Sequence, residues 1–210
     1  MGKDDVLVEE DLFDASRRHA VRIVRRMDNL LKSHGLNPDD VDELYVSAGP
    51  GSFTGTRVGI TVARTMAQVS HSLKVVAVST AQAIARNAED LDWRHLGVVM
   101  SSKDNQVYAA LFERRDDEAV LTCPGEMVDT AEFLARSPRP ILLIGEALDH
   151  VELSGEGVSH APRDLFLPRP GGVWHIGRRE SSAGHFTDDR QLLPIYPRKP
   201  EAQRLWDNKQ

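Results

Sequence analysis

Residues 49–56 read Gly49-Pro50-Gly51-Ser52-Phe53-Thr54-Gly55-Thr56. This glycine loop follows an apolar run, Leu44 to Ala48, which is typical of a buried parallel strand. It precedes apolar residues at helical spacing from Val58 to Val69, which predict a helix. Strand, glycine loop and helix therefore follow one another directly. This order is typical of α/β proteins, in which helices cover a parallel sheet.

The segments on either side of the loop extend this pattern. Apolar residues at helical spacing predict an amphipathic helix from Asp14 to about Leu31, with Asp14 or Ser16 as its N-cap. Residues 75–78 predict a buried strand, and a further helix begins at Thr80. We therefore expect residues 1–93 to form a first lobe, in which helices cover a parallel sheet.

The second half of the chain has a different pattern. Residues 96–100 and 106–113 predict two strands joined as a hairpin rather than by a crossover. A short helix at 130–136 and an apolar strand at 140–144 follow, whereas the glycines and prolines of residues 154–172 predict mostly loop. We expect residues 94–210 to form a second lobe.

Composition excludes several classes of protein. The 210 residues are 40% hydrophobic and 28% charged, which is ordinary for a folded globular chain. The formal net charge of -6 argues against a protein that holds nucleic acid unaided. Because Cys123 is the single cysteine, no intramolecular disulfide or thiolate metal cluster can form. No apolar stretch approaches the length that spans a bilayer, so we expect a soluble cytoplasmic protein.

The glycine loop has two interpretations. Backbone N–H groups at a helix N-terminus can bind an anion or a nucleotide, and here the residues concerned are Gly49, Gly51, Ser52, Thr54 and Gly55. However, the loop lacks the lysine of a Walker A motif and does not match the dinucleotide fingerprint. The spacing favours a structural turn, with Thr54 or Thr56 as the cap of the following helix.

The sequence shows no recognisable catalytic or metal-binding constellation. His19 lies on the first helix, but a helical metal pair needs a second histidine one turn away, and Ile23 occupies that position. No Ser/His/Asp or Cys/His arrangement carries a supporting motif. We therefore predict no catalytic residues and no metal site.

The first helix also carries a cluster of basic residues. Arg18, Arg22 and Arg25 lie on it, within an acidic protein. A solvated face is the ordinary explanation of such a cluster. The alternative is a docking face for an acidic partner or for RNA.

The segment from Gly49 to Gly59 resembles the signature of the TsaB (YeaZ) family, a G-P-G-S-F-T-G block followed by R-[IV]-G. The resemblance extends to His19, to Val78-Ser79-Thr80, to Val107-Tyr108 and to residues 194–202 with Trp206. It implies an actin-like (ASKHA, RNase H-like) α/β fold of two lobes. It also implies a non-catalytic dimerisation or scaffold subunit, which is no enzyme on its own.

The resemblance further implies a set of partners. A TsaD-like catalytic paralogue would form a heterodimer with this chain, and a TsaE-like ATPase would join them to transfer a threonylcarbamoyl group to the adenosine beside the tRNA anticodon. The tRNA would be bound only through the complex, and no cofactor is intrinsic, although ATP or ADP could lie at the partner interface. The interface would use apolar residues of the first two helices: Ala20, Val24, Met27, Val58, Val62 and Met66.

Two departures from the family pattern affect these expectations. The first lobe lacks the family's first two strands, which leaves the predicted strand at Val6 to Val8 without a neighbour and exposes an edge at residues 44–48. A start codon recorded too late, or a divergent relative, would explain this. Residues 101–106 replace the family's D-A-R-x-x-E, which weakens any nucleotide or ion site in the second lobe. The alternative functions are a glycoprotease-like peptidase, an ATPase or kinase-like enzyme, and a degenerate inactive relative.

Overall fold

In this computed structural model, the residues described are 1–12, 19–70, 72–102 and 106–197, without the side chains of residues 19–21. The chain divides into two compact units. The first comprises Met1–Ala83 and Pro168–Pro194, and the second comprises Ile84–Leu167 and the segment that begins at Ile195. The expected boundary lies after residue 93, whereas this division falls after Ala83 and also assigns Pro168–Pro194 to the first unit.

Nine strands and five α-helices are present in the described part of the chain. The strands are β1 (Gly2–Lys3), β2 (Val6–Leu7), β3 (Glu43–Gly49), β4 (Lys74–Ser79), β5 (His95–Ser101), β6 (Gln106–Arg115), β7 (Glu118–Asp129), β8 (Ile141–Ile144) and β9 (Val158–His160). The helices are α1 (His19–Ser33), α2 (Phe53–Val69), α3 (Thr80–Arg86), α4 (Thr130–Arg136) and α5 (Pro170–Ser182). Three short 3₁₀ helices lie at Pro38–Asp40, Glu146–Asp149 and Arg163–Leu165.

The first unit begins with a hairpin. Strand β1 pairs antiparallel with β2, and the two aspartates between them, Asp4 and Asp5, have φ angles of 49° and 64°. Such positive values are typical of a tight hairpin turn, and aspartate tolerates them better than most residues. The expectation that the strand at Val6 has no neighbour is therefore wrong, because residues 2–3 pair with it locally.

Strands β3 and β4 form a parallel pair between two helical layers. On one face Ala48 and Val75 pack with Ile60 and Ala63 of α2. On the other face Val76 and Val78 pack with Ile176 of α5. Alternate residues of a strand point to opposite faces, so each strand supplies both cores. Among the described residues β3 pairs with β4 alone.

Helix α5 begins at Pro170, within residues 154–172, which the sequence predicts to be mostly loop. Its glycines let the helix approach its neighbours closely: a Cβ atom on Gly172 would lie 2.6 Å from the carbonyl oxygen of Ala83 in α3, and one on Gly177 would overlap the ring of Tyr45 in β3. A Gly-Gly pair after a proline is a turn signal in sequence. Here proline occupies the first turn of the helix, where its missing N–H costs nothing.

The second unit is built on a five-stranded mixed sheet in the order β7-β6-β5-β8-β9. The expected hairpin is confirmed, because β5 pairs antiparallel with β6. Strand β8 lies parallel to β5, and α4 packs Phe133 against Val99 and Leu143 in the core. The sequence reasoning missed β7, whose centre contains Cys123, Pro124 and Gly125. Proline is tolerated there because β7 is an edge strand and its pairing with β6 is irregular near Leu111.

Candidate functional site

The glycine loop joins the carboxyl end of β3 to the first turn of α2. Gly49 is buried with φ 105°, a value that favours glycine, and it precedes a cis peptide bond to Pro50. Ser52 is the N-cap of α2, and its side chain accepts a hydrogen bond from the Gly55 N–H at 3.3 Å. The expected cap at Thr54 or Thr56 is therefore wrong, since the helix begins one residue before Thr54.

Packing does not require glycine at the next positions of the loop. A Cβ atom on Gly55 would lie 3.4 Å from the Ser52 side chain, which is an ordinary van der Waals distance. Gly51 and Thr54 are exposed. Next to the loop, the Ser47 and Thr80 hydroxyl groups lie 2.7 Å apart and join the ends of β3 and β4. The loop geometry thus supports the structural interpretation, and anion binding there stays a prediction.

Helices α1 and α2 contact each other and carry the residues expected at a partner interface. Val24 is 56% exposed. Met27, Val58, Val62 and Met66 are half-buried, and the side chain of Ala20 lies outside the described residues. Only Ile60 and Ala63 of α2 are fully buried. The chain therefore covers these apolar side chains only in part, which leaves apolar area available for a partner.

The expected basic face is present where the structure describes it. Arg22 and Arg25 are exposed on α1, whereas Arg18 lies outside the described residues. One turn from Arg22, Arg26 donates two hydrogen bonds to the Asp11 carboxylate, at 2.5 and 2.6 Å. Helix α1 ends at Ser33, close to the expected end at about Leu31, and the expected caps Asp14 and Ser16 lie outside the described residues.

One acidic residue of the second unit was missed by the sequence reasoning. Glu146 follows β8, and its Oε1 accepts a hydrogen bond from the Ser101 N–H at 3.1 Å. Burial raises the pKa of this carboxyl group above its ordinary value. Its Oε2 is shielded from solvent and has no hydrogen-bond partner among the described residues. The sequence signal that could have identified Glu146 is its position as an acidic residue directly after an apolar strand and Gly145.

Metal ligands and membrane spans were searched for in the same part of the chain. No group of three or more His, Cys, Asp or Glu side chains among the described residues is placed to hold a metal ion. No described helix combines the length and the apolar character that crossing a membrane requires.

Comparison with protein families gives a match over most of the chain. The family model described as "TsaD: tRNA N6-adenosine threonylcarbamoyltransferase" matches residues 13–166. A Bacillus subtilis protein named "tRNA threonylcarbamoyladenosine biosynthesis protein TsaB" is 27% identical over 97% of this chain and 90% of its own length. The Escherichia coli protein of the same name is 31% identical over 48% of this chain and 44% of its own length. A Listeria monocytogenes "tRNA N6-adenosine threonylcarbamoyltransferase" is 29% identical over 76% of this chain but only 39% of its own length.

Solved structures show the same fold. YeaZ from Pseudomonas aeruginosa superposes with a TM-score of 0.72 at 22% identity, covering 85% of this chain and 84% of that one. A second Pseudomonas aeruginosa structure, described as similar to peptidase YEAZ, gives a TM-score of 0.72 at 20% identity over 87% and 85% of the two chains. The expected actin-like α/β fold is therefore confirmed.

Proposed function

This chain belongs to the family described as TsaD, tRNA N6-adenosine threonylcarbamoyltransferase, and on this basis we propose that it is a non-catalytic subunit of the machinery that builds threonylcarbamoyladenosine in tRNA. The observation that carries the proposal is the similarity to the Bacillus subtilis biosynthesis protein, which is 27% identical over 97% of this chain. The similarity to the Listeria transferase covers 76% of this chain. More of the chain's residues therefore align with the biosynthesis protein than with the enzyme.

The absence of a catalytic role is supported by the sequence of α1. Two histidines one turn apart on a helix can bind one metal ion together. A hydrolytic or transferase site needs either a bound metal ion or an activated nucleophile. His19 has Ile23 at the position of the second histidine. We propose that the metal and the chemistry belong to a TsaD-like partner, and that this chain contributes structure.

The proposed contact with that partner is the helix pair α1–α2. Val24, Met27, Val58, Val62 and Met66 would pack against a matching helix pair, so that four helices form one bundle. Such packing would bury apolar area that the chain alone leaves exposed, and this burial favours association. A TsaE-like ATPase would join the heterodimer, ATP or ADP would bind at the partner interface, and tRNA would be held by the assembled complex in the cytoplasm.

Co-purification with the TsaD-like protein of the same organism tests this proposal. We expect a heterodimer by size-exclusion chromatography with light scattering. We also expect the isolated chain to hydrolyse neither ATP nor peptide. ATP hydrolysis that follows the chain through purification and disappears on mutation of its own residues would instead support the kinase-like alternative. Failure of the two proteins to associate would contradict the subunit role.

A further inference from the structure

A charged cleft lies between α1 and the segment that follows the N-terminal hairpin. Its volume is about 550 Å³, and its walls include Glu9 and Asp11 on one side and Arg22, Arg25 and Arg26 on the other. The three arginines outnumber the two carboxylates, although the whole chain carries a formal charge of -6. The cleft is therefore a local positive site on an acidic protein.

Two of the arginines are available to a ligand. The Asp11 carboxylate already accepts two hydrogen bonds from Arg26, and the Glu9 carboxylate lies 2.7 Å from the His34 ring. Arg22 and Arg25 form no ion pair with any residue that the structure describes. Both side chains are exposed, and residues three apart on a helix lie on neighbouring positions of its surface. Two such guanidinium groups can bind one phosphate group or two adjacent ones.

The lining indicates which part of a ligand the cleft recognises. Leu30 is the one apolar side chain among the lining residues, and none of them is aromatic. A nucleobase is normally bound by stacking on aromatic or apolar side chains, and the cleft offers no aromatic ring and a single apolar side chain. The cleft therefore suits the phosphate of a larger molecule rather than a free nucleotide.

The cleft lies on a different face of α1 from the proposed partner surface. A helix turns by about 100° per residue, so Arg22 and Arg25 lie on roughly the opposite side of α1 from Val24 and Met27. Val24 and Met27 belong to the surface that we assign to the partner. A ligand in the cleft and a partner on the apolar stripe would thus occupy different faces of one helix.

We infer that this cleft binds backbone phosphates of the RNA substrate, with Arg22 and Arg25 as the contacting groups. The choice of RNA rests on the proposed function, whereas the phosphate chemistry rests on the cleft itself. Contacts of this kind position an RNA without reading its sequence, and they weaken with salt because bound counterions are released.

The test uses the full chain in complex with its TsaD-like partner and a fluorescent anticodon stem-loop RNA, titrated at several salt concentrations. The double variant Arg22→Gln/Arg25→Gln is compared with Arg94→Gln/Arg190→Gln, which removes the same charge from exposed arginines elsewhere. We expect the cleft variant to bind about tenfold more weakly and its salt slope to fall by about 1.4, at roughly 0.7 per phosphate contact. The control should stay within about twofold of the wild type. Equal losses in both variants, or none, would overturn the inference.

NMR spectra of the arginine Nε–H groups decide the question even if the double substitution unfolds the chain. In the labelled wild-type chain bound to its TsaD-like partner, RNA should shift the Arg22 and Arg25 signals and leave those of Arg94 and Arg190 in place. Inorganic phosphate at equal ionic strength is the second probe and should shift them less. Tighter binding of inorganic phosphate than of RNA would assign the cleft to a small ligand and refute the RNA assignment. RNA binding at these arginines in a chain that fails to support tRNA modification would contradict the proposed function and leave the cleft assignment intact.

Discussion

Replacement of Val24 by glutamate separates the proposed partner surface from the chain's own core. Val24 is 56% exposed, so its substitution removes little of the packing within the chain. The new carboxylate would lie one turn before Asp28, and repulsion between like charges at this spacing costs only about 0.2–0.5 kcal/mol. We therefore expect the stability of the isolated variant to change by less than about 1 kcal/mol.

Association with the TsaD-like partner should respond much more strongly. Burying the exposed half of a valine contributes about 1 kcal/mol, because full burial contributes about 1.5–3 kcal/mol. Leaving a buried polar group without a partner costs a further 1–3 kcal/mol or more. The sum of about 2–4 kcal/mol corresponds to a 30- to 1,000-fold weaker Kd.

Calorimetric titration of the partner, together with urea denaturation of each variant alone, measures both quantities. Leu167→Glu is the matched control, because Leu167 is 62% exposed and lies in the second unit. Val24→Gln separates the effect of charge from that of lost apolar area. Unchanged affinity of a folded Val24→Glu variant would refute the assignment of this face of α1 to the partner, and an equal loss in Leu167→Glu would show that the effect is not local.

Three further predictions concern stability. Arg114 donates hydrogen bonds of 2.7–3.4 Å to three backbone carbonyls after α3. Arg114→Met should therefore lower the free energy of unfolding, measured by urea denaturation, by about 2–4 kcal/mol. A loss below about 1 kcal/mol would contradict this role. Gly172→Ala should lower the free energy of unfolding by about 2 kcal/mol or more, because the new Cβ would meet the Ala83 carbonyl oxygen at 2.6 Å. Gly51→Ala is the control, since the nearest atom to a Cβ on Gly51 is 3.7 Å away. Similar thermal melts for the two variants would contradict the packing of α5. Burial raises the pKa of Glu146 above 4.5, so the folded state holds its proton more tightly than the unfolded state, and its contribution to stability falls as pH rises above 4.5. Glu146→Gln should therefore gain stability relative to the wild type between pH 4.5 and 7, and a difference independent of pH would argue against a buried carboxyl group.

The elements around the glycine loop were predictable because their local signals agree with their tertiary setting. Residues 44–48 are apolar apart from Ser47, which suits a strand covered on both faces, and α2 follows after the glycine loop. The β5–β6 pair was predictable for a similar reason, since two apolar runs flank a short polar connection.

Elements whose formation depends on distant contacts were not predictable. Helix α5 contains glycines that weaken a helix locally, and its stability comes from close packing on Tyr45 and Ala83. Strand β7 contains Pro124, which only an edge position tolerates. The short β1–β2 hairpin was missed because each strand has two residues.

The residues of the candidate site were likewise predictable only where local sequence signals determine them. Residue type and helical spacing identified the apolar and basic stripes of α1 and α2, but the degree of exposure of Val24 and Val62 depends on how the helices pack. The pairing of Arg26 with Asp11, which leaves Arg22 and Arg25 to face the cleft, joins segments 15 residues apart. No local pattern carries that information. Glu146 was overlooked because a single carboxylate has no motif, and its importance comes from burial.

Reconstituted tRNA modification tests the central claim most directly. The TsaD-like and TsaE-like proteins of the same organism would be incubated with an unmodified tRNA transcript, ATP and a threonylcarbamoyl donor, with and without this chain, and threonylcarbamoyladenosine would be measured by mass spectrometry of the digested tRNA. The subunit role predicts that the modified nucleoside forms only when the chain is present, and that the Val24→Glu variant supports less of it than Leu167→Glu does. Equal formation with and without the chain would contradict the account.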